Sequence, residues 1–257
     1  MVVAAGNAGT VAAMAIGRSL SDNVSTAFLY GGAAFAVLTV LWLLFVRERG
    51  SESAAQPASQ PKVRLGDVLK SANLWLAALG AALYMGVNMA ASTLISPGLI
   101  ARGVSDGAAN LTVIVFSVVA LLAAIFMPGI ISKLPNTKVT CAVLSVAAGV
   151  TLYLGWAAGS DGMRNLLIAV SGVCLGGLLP TIMSMPAFLP EIGPAKIGAA
   201  GGLISTVMMA GAFLIPSYVI TPIAGGINNT AFLVAAGCAC LLALLFAILP
   251  NVSVRKG

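Results

Sequence analysis

Residues 47–72 read RERGSESAAQPASQPKVRLGDVLKSA, and the run that follows, 73–100, reads NLWLAALGAALYMGVNMAASTLISPGLI without a single charge. The first stretch mixes Ser, Gln, Pro and charge in the manner of a solvated linker. The second is 28 residues long, and a helix needs about 20 mostly apolar residues to cross the ~30 Å hydrocarbon core. Working outward from this boundary, seven more charge-free apolar runs cover 2–17, 26–46, 108–132, 139–159, 165–188, 197–220 and 230–250. Seven of the eight runs are long enough to span, and all 13 basic and all 7 acidic residues lie outside them. The expected fold class is all-α: a polytopic membrane helix bundle of eight transmembrane helices.

Composition agrees. Hydrophobic residues make up 60% of the 257 and charged residues only 8%, against roughly 25% charged in a soluble domain. Assigning alternate connections to alternate sides explains the formal charge of +6. Arg47, Arg49, Lys62, Arg64, Lys70, Lys133, Lys138, Lys196, Arg255 and Lys256 fall on one side, and Arg18, Arg102 and Arg164 on the other. Ten against three makes the first side cytoplasmic, with both termini there. The basic excess is thus a topology signal, the partner is a lipid bilayer, and no nucleic acid is expected. The run 2–17 is the shortest. Its only nearby base, Arg18, follows the apolar stretch, whereas a signal peptide carries positive charge before it. It reads as a span.

Two spans, a long linker and six spans is the resulting order. Within the linker, apolar positions at 63, 65, 68 and 69 with Lys and Asp between them suit a short amphipathic surface helix over 63–73. Gly172 and Gly176, and again Gly198 and Gly202, each put two glycines one turn apart on one face. Close backbone approach is a main source of helix association in lipid, so these four are read as packing positions. Prolines at 97, 128, 180, 186 and 216 are expected to kink their helices.

The chemistry available is narrow. There is no histidine, and Cys141, Cys174, Cys238 and Cys240 all sit in apolar runs, where they act as small hydrophobes. The acids are scattered, one or two per connection, with no cluster to hold Mg²⁺. Neither an enzyme nor a metal or cofactor is expected. Proton-driven carriers usually keep an ionisable residue at membrane depth, and none lies in these runs. Neutral polar residues do: Tyr84 and Asn88 at i, i+4, Thr112 and Ser117, Thr181 and Ser184, and Ser205 and Thr206. Each Ser or Thr can satisfy its own helix carbonyls. Asn88 is costlier to leave unpaired in lipid, which favours a cavity-facing position.

This layout resembles the major facilitator superfamily, whose members resemble two six-helix bundles joined by a long cytoplasmic linker. The resemblance implies that residues 73–250 form a complete C-terminal six-helix bundle and that 47–72 is the central linker. Residues 1–46 would then carry the last two helices of a truncated N-terminal bundle, and 251–257 a cytoplasmic tail. Four N-terminal helices of the same protein would be missing, so the chain covers the family's last eight. The loop after the fourth run, Gly129-Ile-Ile-Ser-Lys133-Leu-Pro-Asn-Thr-Lys138, resembles the family's G-x-x-x-D-[RK]-x-G-[RK]-[RK] motif. Gly129, Lys133 and Lys138 then mark a cytoplasmic gating loop, with Ser132 at the acidic position. The opening segment Ala5-Gly6-Asn7-Ala8-Gly9-Thr10 is similar to the Gly-Asn-x-Gly signature of nitrate/nitrite porters. Span 6 has Leu175-Gly-Gly-Leu-Leu-Pro180 where those porters repeat the signature, and span 4 lacks their arginine.

The resemblance implies a secondary transporter of a small solute, a small anion in its finer form, working by alternating access in a cell membrane. The brevity of the loops points to a bacterial inner membrane. Spans 3 and 6 would correspond to cavity-lining helices, making Tyr84, Asn88, Thr181 and Ser184, with Asn7, the substrate-binding candidates. The alternative is a non-transporting membrane protein that kept the fold: a sensor, an assembly factor or a remnant.

Overall fold

The computed structural model describes residues 24–45, 65–131, 133–134, 136–189 and 191–249, and these are helical wherever they are regular. In chain order they are α1 (Val24–Phe45), α2 (Leu65–Leu69), α3 (Ala72–Ala101), α4 (Asp106–Ile131), α5 (Thr137–Ala157), α6 (Asp161–Ser184), α7 (Ile197–Leu214), α8 (Thr221–Ala224) and α9 (Asn229–Ile248). Six helical segments are long and apolar enough to cross a membrane: α3, α4, α5, α6 with its 3₁₀ extension, α7 with its continuation, and α9. They match the six runs after the linker. The expected run 2–17 lies outside the described residues. The 26–46 run corresponds to α1, whose side chains are largely exposed, Leu29, Phe35 and Leu44 among them.

Helix ends fall where capping chemistry allows. Ser71 accepts a hydrogen bond from the Leu74 N–H, Asn136 from Val139 and Asn228 from Ala231, so α3, α5 and α9 each start on a side-chain cap. These starts lie one or two residues before the charge-free runs, because a first turn tolerates polar residues. The expected surface helix over 63–73 is reduced. Only Leu65–Leu69 is helical, and the chain breaks at Lys70 and Ser71 before α3 begins anew. Positions 63 and 64 are outside the described residues.

The helices pack in a ring of neighbours: α4 on α6, α6 on α5, α5 on α9, α9 on α3, and α3 on both α7 and α4. Glycine sets several of these contacts. A Cβ on Gly172 would stand 2.7 Å from the Phe116 carbonyl oxygen, and one on Gly176 would stand 2.7 Å from Ala120 Cα. At Gly149 it would lie 2.9 Å from Ala239 Cβ, and at Gly211 it would lie 2.5 Å from Ala82 Cα. Lipid tails are as apolar as Leu, so such close approach supplies dispersion energy that no solvent effect replaces. Gly198 and Gly202 depart from expectation. Both are exposed on α7, and nothing among the described residues comes within 4 Å of a Cβ built there.

The prolines act unequally. α3, α4 and α6 run through Pro97, Pro128 and Pro180 as single α-helices. Pro186 instead falls in the 3₁₀ turn Met185–Phe188 that ends α6, and Pro216 in a π-helical stretch, Ile215–Ile220, that continues α7. Pro216 cannot donate to the helix ladder, and a widened π turn accommodates that loss. The wide turn is wedged on α3, since a Cβ on Gly86 would meet Ile215 Cβ at 2.5 Å.

The end of the bundle opposite the linker is stapled. Arg102, just past α3, donates to the Trp156 carbonyl at 2.7 Å and lies 4.9 Å from the centre of the Trp156 ring. That indole stacks on Phe232 at 4.0 Å, and its N–H donates to the Asn229 side chain at 2.8 Å. One buried tryptophan thereby joins the ends of α3, α5 and α9.

Candidate solute-binding site

α3 presents Tyr84 and Asn88 one turn apart at the middle of a 30-residue helix. Tyr84 is buried and Asn88 half-buried. The Asn88 amide donates toward the Tyr84 hydroxyl at 3.5 Å, the long limit of a hydrogen bond. An amide has two donors and two acceptor positions, so most of the hydrogen-bonding capacity of Asn88 is unused. Its backbone carbonyl accepts from Ser92 at 2.9 Å. Further along α3, Ser96 donates to the Asn110 side chain of α4 at 2.6 Å.

On α6 the expected pair behaves differently. Thr181 donates to the Gly177 carbonyl at 3.3 Å, and Ser184 donates to the Thr181 carbonyl at 2.8 Å. Both hydroxyls are turned back on their own helix, although Ser184 remains exposed. Among the described residues no hydrogen bond joins this pair to Tyr84 and Asn88, though α3 and α6 do touch. Asn7 lies outside the described residues.

The loop residues are placed as follows. Gly129 lies near the end of α4 with an exposed backbone, Lys133 is exposed in the turn that follows, and Lys138 is half-buried in the first turn of α5. Ser132, at the motif's acidic position, is outside the described residues.

Two polar features escaped the sequence reading. Thr112, noted only as polar at depth, donates to the Asn165 side chain at 2.7 Å and so ties α4 to α6. Arg164, counted only as a loop base, is 94% buried in the first turns of α6 (relative exposure 6%). It pairs with exposed Asp161 at 2.8 Å. Its Nε and Nη1 are buried without an acceptor among the described residues, a condition that costs a charged group more than the usual value of about 1–3 kcal/mol. The sequence signal was there: Arg164 borders the 165–188 run directly, so it could be drawn into the bundle with its helix.

Glu191 lies in the connection between α6 and α7. Its carboxylate accepts from the Asn73 amide at 2.7 Å and from the Ser71 hydroxyl at 3.0 Å. The Asn73 bond is the main reason its pKa lies below the ordinary carboxylate range. The connection between α6 and α7 is thereby tied to the start of α3, where the helix dipole also favours negative charge.

The described residues thus form six membrane-capable helical segments with a neutral polar pair midway along α3. The profile of the Major Facilitator Superfamily matches residues 1–216. The chain belongs to that superfamily. Its members are transporters rather than enzymes, so this is a multi-pass membrane protein of a secondary-transporter family. No curated protein matches the chain.

Proposed function

We propose that the protein moves a small solute, and specifically a small anion, across a cell membrane by alternating access. The observation that carries this reading is Asn88: an amide midway along α3 whose side chain, among the described residues, makes a single long hydrogen bond, to Tyr84. A half-buried amide has donor and acceptor positions to spare, and a solute that accepts from the amide and the Tyr84 hydroxyl fills them. Neutral donors favour an anion that sheds its water without requiring a counter-charge. Arg164 adds positive charge at the α6 end from which such a solute would enter, and the Ala5–Thr10 segment is in keeping with the same chemistry. Thr181 and Ser184 complete the cavity wall on α6 when their hydroxyls rotate away from their own carbonyls.

In this reading residues 73–250 are one complete bundle and 47–72 the cytoplasmic linker, with both termini cytoplasmic. Residues 1–46 supply the last two helices of the first bundle. Carriers of this kind bind substrate at the interface between repeats, so four further helices are needed to close the cavity. The exposed glycines 198 and 202 leave α7 a bare face that a helix of the first bundle can approach. Gly129, Lys133 and Lys138 form the cytoplasmic gating loop. The isolated 257-residue chain is therefore expected to bind solute without sustaining uptake in proteoliposomes.

Labelling of an introduced thiol tests the site. Cys174 is buried and is a poor reporter, whereas Ser184 is exposed. With Cys240 replaced by Ser, a Ser184→Cys variant should lose maleimide reactivity when the correct anion is added from a panel of nitrate, nitrite, cyanate and small carboxylates. Asn88→Ala should abolish that protection. Unchanged labelling under every anion would overturn the site, and uptake by the isolated chain would overturn the two-bundle requirement.

A further inference from the structure

α7 and α9 follow one another through the α8 turn yet diverge toward the linker side, leaving a groove of about 590 Å³ floored by α3. That volume is in the usual range for a ligand site. Its twelve lining residues are all apolar, with Leu79 and Leu83 on α3, Leu214 on α7, and Leu244 and Ile248 on α9. The floor is smooth for a stated reason: Gly211 lies so close to Ala82 that no side chain fits between them. The groove lies in the half of the membrane nearer the linker, since Leu79 is in the second turn of α3 and Ile248 is the last residue of α9.

Beyond the groove on the linker side, the start of α3 carries an aromatic residue and is preceded by a base. Trp75 precedes Leu79 by one turn on the same stripe of α3, is 39% exposed, and donates from its indole to the Leu69 carbonyl at 2.9 Å. A tryptophan so held sits at headgroup depth. Lys70 is exposed in the break between α2 and α3. Charge is lopsided across the molecule. Among the described residues, the linker side carries four basic residues (Lys70, Lys133, Lys138, Lys196) and two acids (Asp67, Glu191), whereas the opposite side has two of each (Arg102, Arg164; Asp106, Asp161). The only acid whose side chain is described at this end, Glu191, is already engaged by Asn73 and Ser71.

We propose that this groove binds one acyl chain of an anionic phospholipid, with its phosphate held at Lys70 beside the Trp75 ring. An apolar slot of this volume fits a flexible chain. One surface lysine corresponds to about a fivefold preference for anionic over zwitterionic lipid.

The test uses the full chain in phosphatidylcholine vesicles with increasing fractions of acyl-brominated phosphatidylglycerol or acyl-brominated phosphatidylcholine, reading quenching of Trp75 by difference from Trp75→Phe. Brominated phosphatidylglycerol should quench at about fivefold lower mole fraction. Lys70→Gln, an exposed change that leaves packing intact, should equalise the two lipids. Ala210→Phe, which fills the groove, should lower quenching by both. Equal quenching by the two lipids in the unmodified protein, or a preference unchanged by Lys70→Gln, would overturn the proposal. Quenching by neither lipid would overturn it too, since a protein segment would then occupy the groove.

Discussion

Gly172 and Gly176 on α6 share their four-residue spacing with Gly198 and Gly202 on α7, yet the two pairs have opposite surroundings. The α6 pair meets the backbone of α4 at Phe116 and Ala120, whereas the α7 pair meets nothing within 4 Å among the described residues. Spacing alone brings two bare backbone positions to one face of a helix. Whether another helix arrives there depends on what else that face carries. On α6, the α4-facing side also holds Asn165, hydrogen-bonded to Thr112, so a polar tie and a glycine contact act on one interface. On α7, the side that reaches α3 runs through Gly211, and Gly198 and Gly202 lie off it.

Substitution should separate the pairs, beginning with the tightest contact. Gly176→Val would place its Cβ against the Ala120 backbone, which cannot yield as a side-chain tip can, and should cost about 3 kcal/mol or more. Its measurable result is loss of the cooperative thermal transition in detergent. Gly172→Ala meets the Phe116 carbonyl and one flexible methyl of Val119, so a loss of about 1–3 kcal/mol is expected in the same assay. Gly198→Ala and Gly202→Ala should shift stability by less than about 1 kcal/mol, and upward if at all, because alanine is the better helix former and has free space there. A large loss at either would mean that a helix covers this face in the protein as measured, and the contrast between the pairs would collapse.

The smallest effect concerns how the linker end of α7 is held. Glu191 binds better ionised, since Asn73 and Ser71 donate to its carboxylate, and its folded pKa is therefore lowered. The stability it adds is present above the ordinary glutamate pKa of about 4.3 and disappears as pH falls through the lowered value. Glu191→Gln should thus reduce Tm at neutral pH by on the order of a degree, as suits an exposed group. The two proteins should become indistinguishable in acid below the lowered pKa. A difference that persisted there would assign the effect to something other than the carboxylate.

The arrangement of the candidate site's polar residues was legible unevenly. Asn88 and Tyr84 could be paired from i, i+4 spacing because both lie on one helix, and the hydrogen bond between them is the local consequence. Thr181 and Ser184 satisfied the same spacing logic, but their hydroxyls take the nearest carbonyl, a choice that depends on rotamer and not on position. Arg164 illustrates the opposite failure. Its charge put it among loop residues, whereas the helix starts four residues before the apolar run and carries it inside.

The sequence by itself determined the number and approximate limits of the six spans after the linker, and their membrane setting. A bilayer imposes those features on each segment separately, through the cost of burying charge and unpaired backbone. Tertiary structure alone decided which glycine faces are covered, that Trp156 on α5 gathers Arg102 from the end of α3 and Phe232 and Asn229 from α9, and that α7 and α9 part to leave a groove. Those outcomes depend on contacts between residues tens of positions apart. Between helices in lipid, the energies that select partners are small dispersion and hydrogen-bond terms that no single segment encodes.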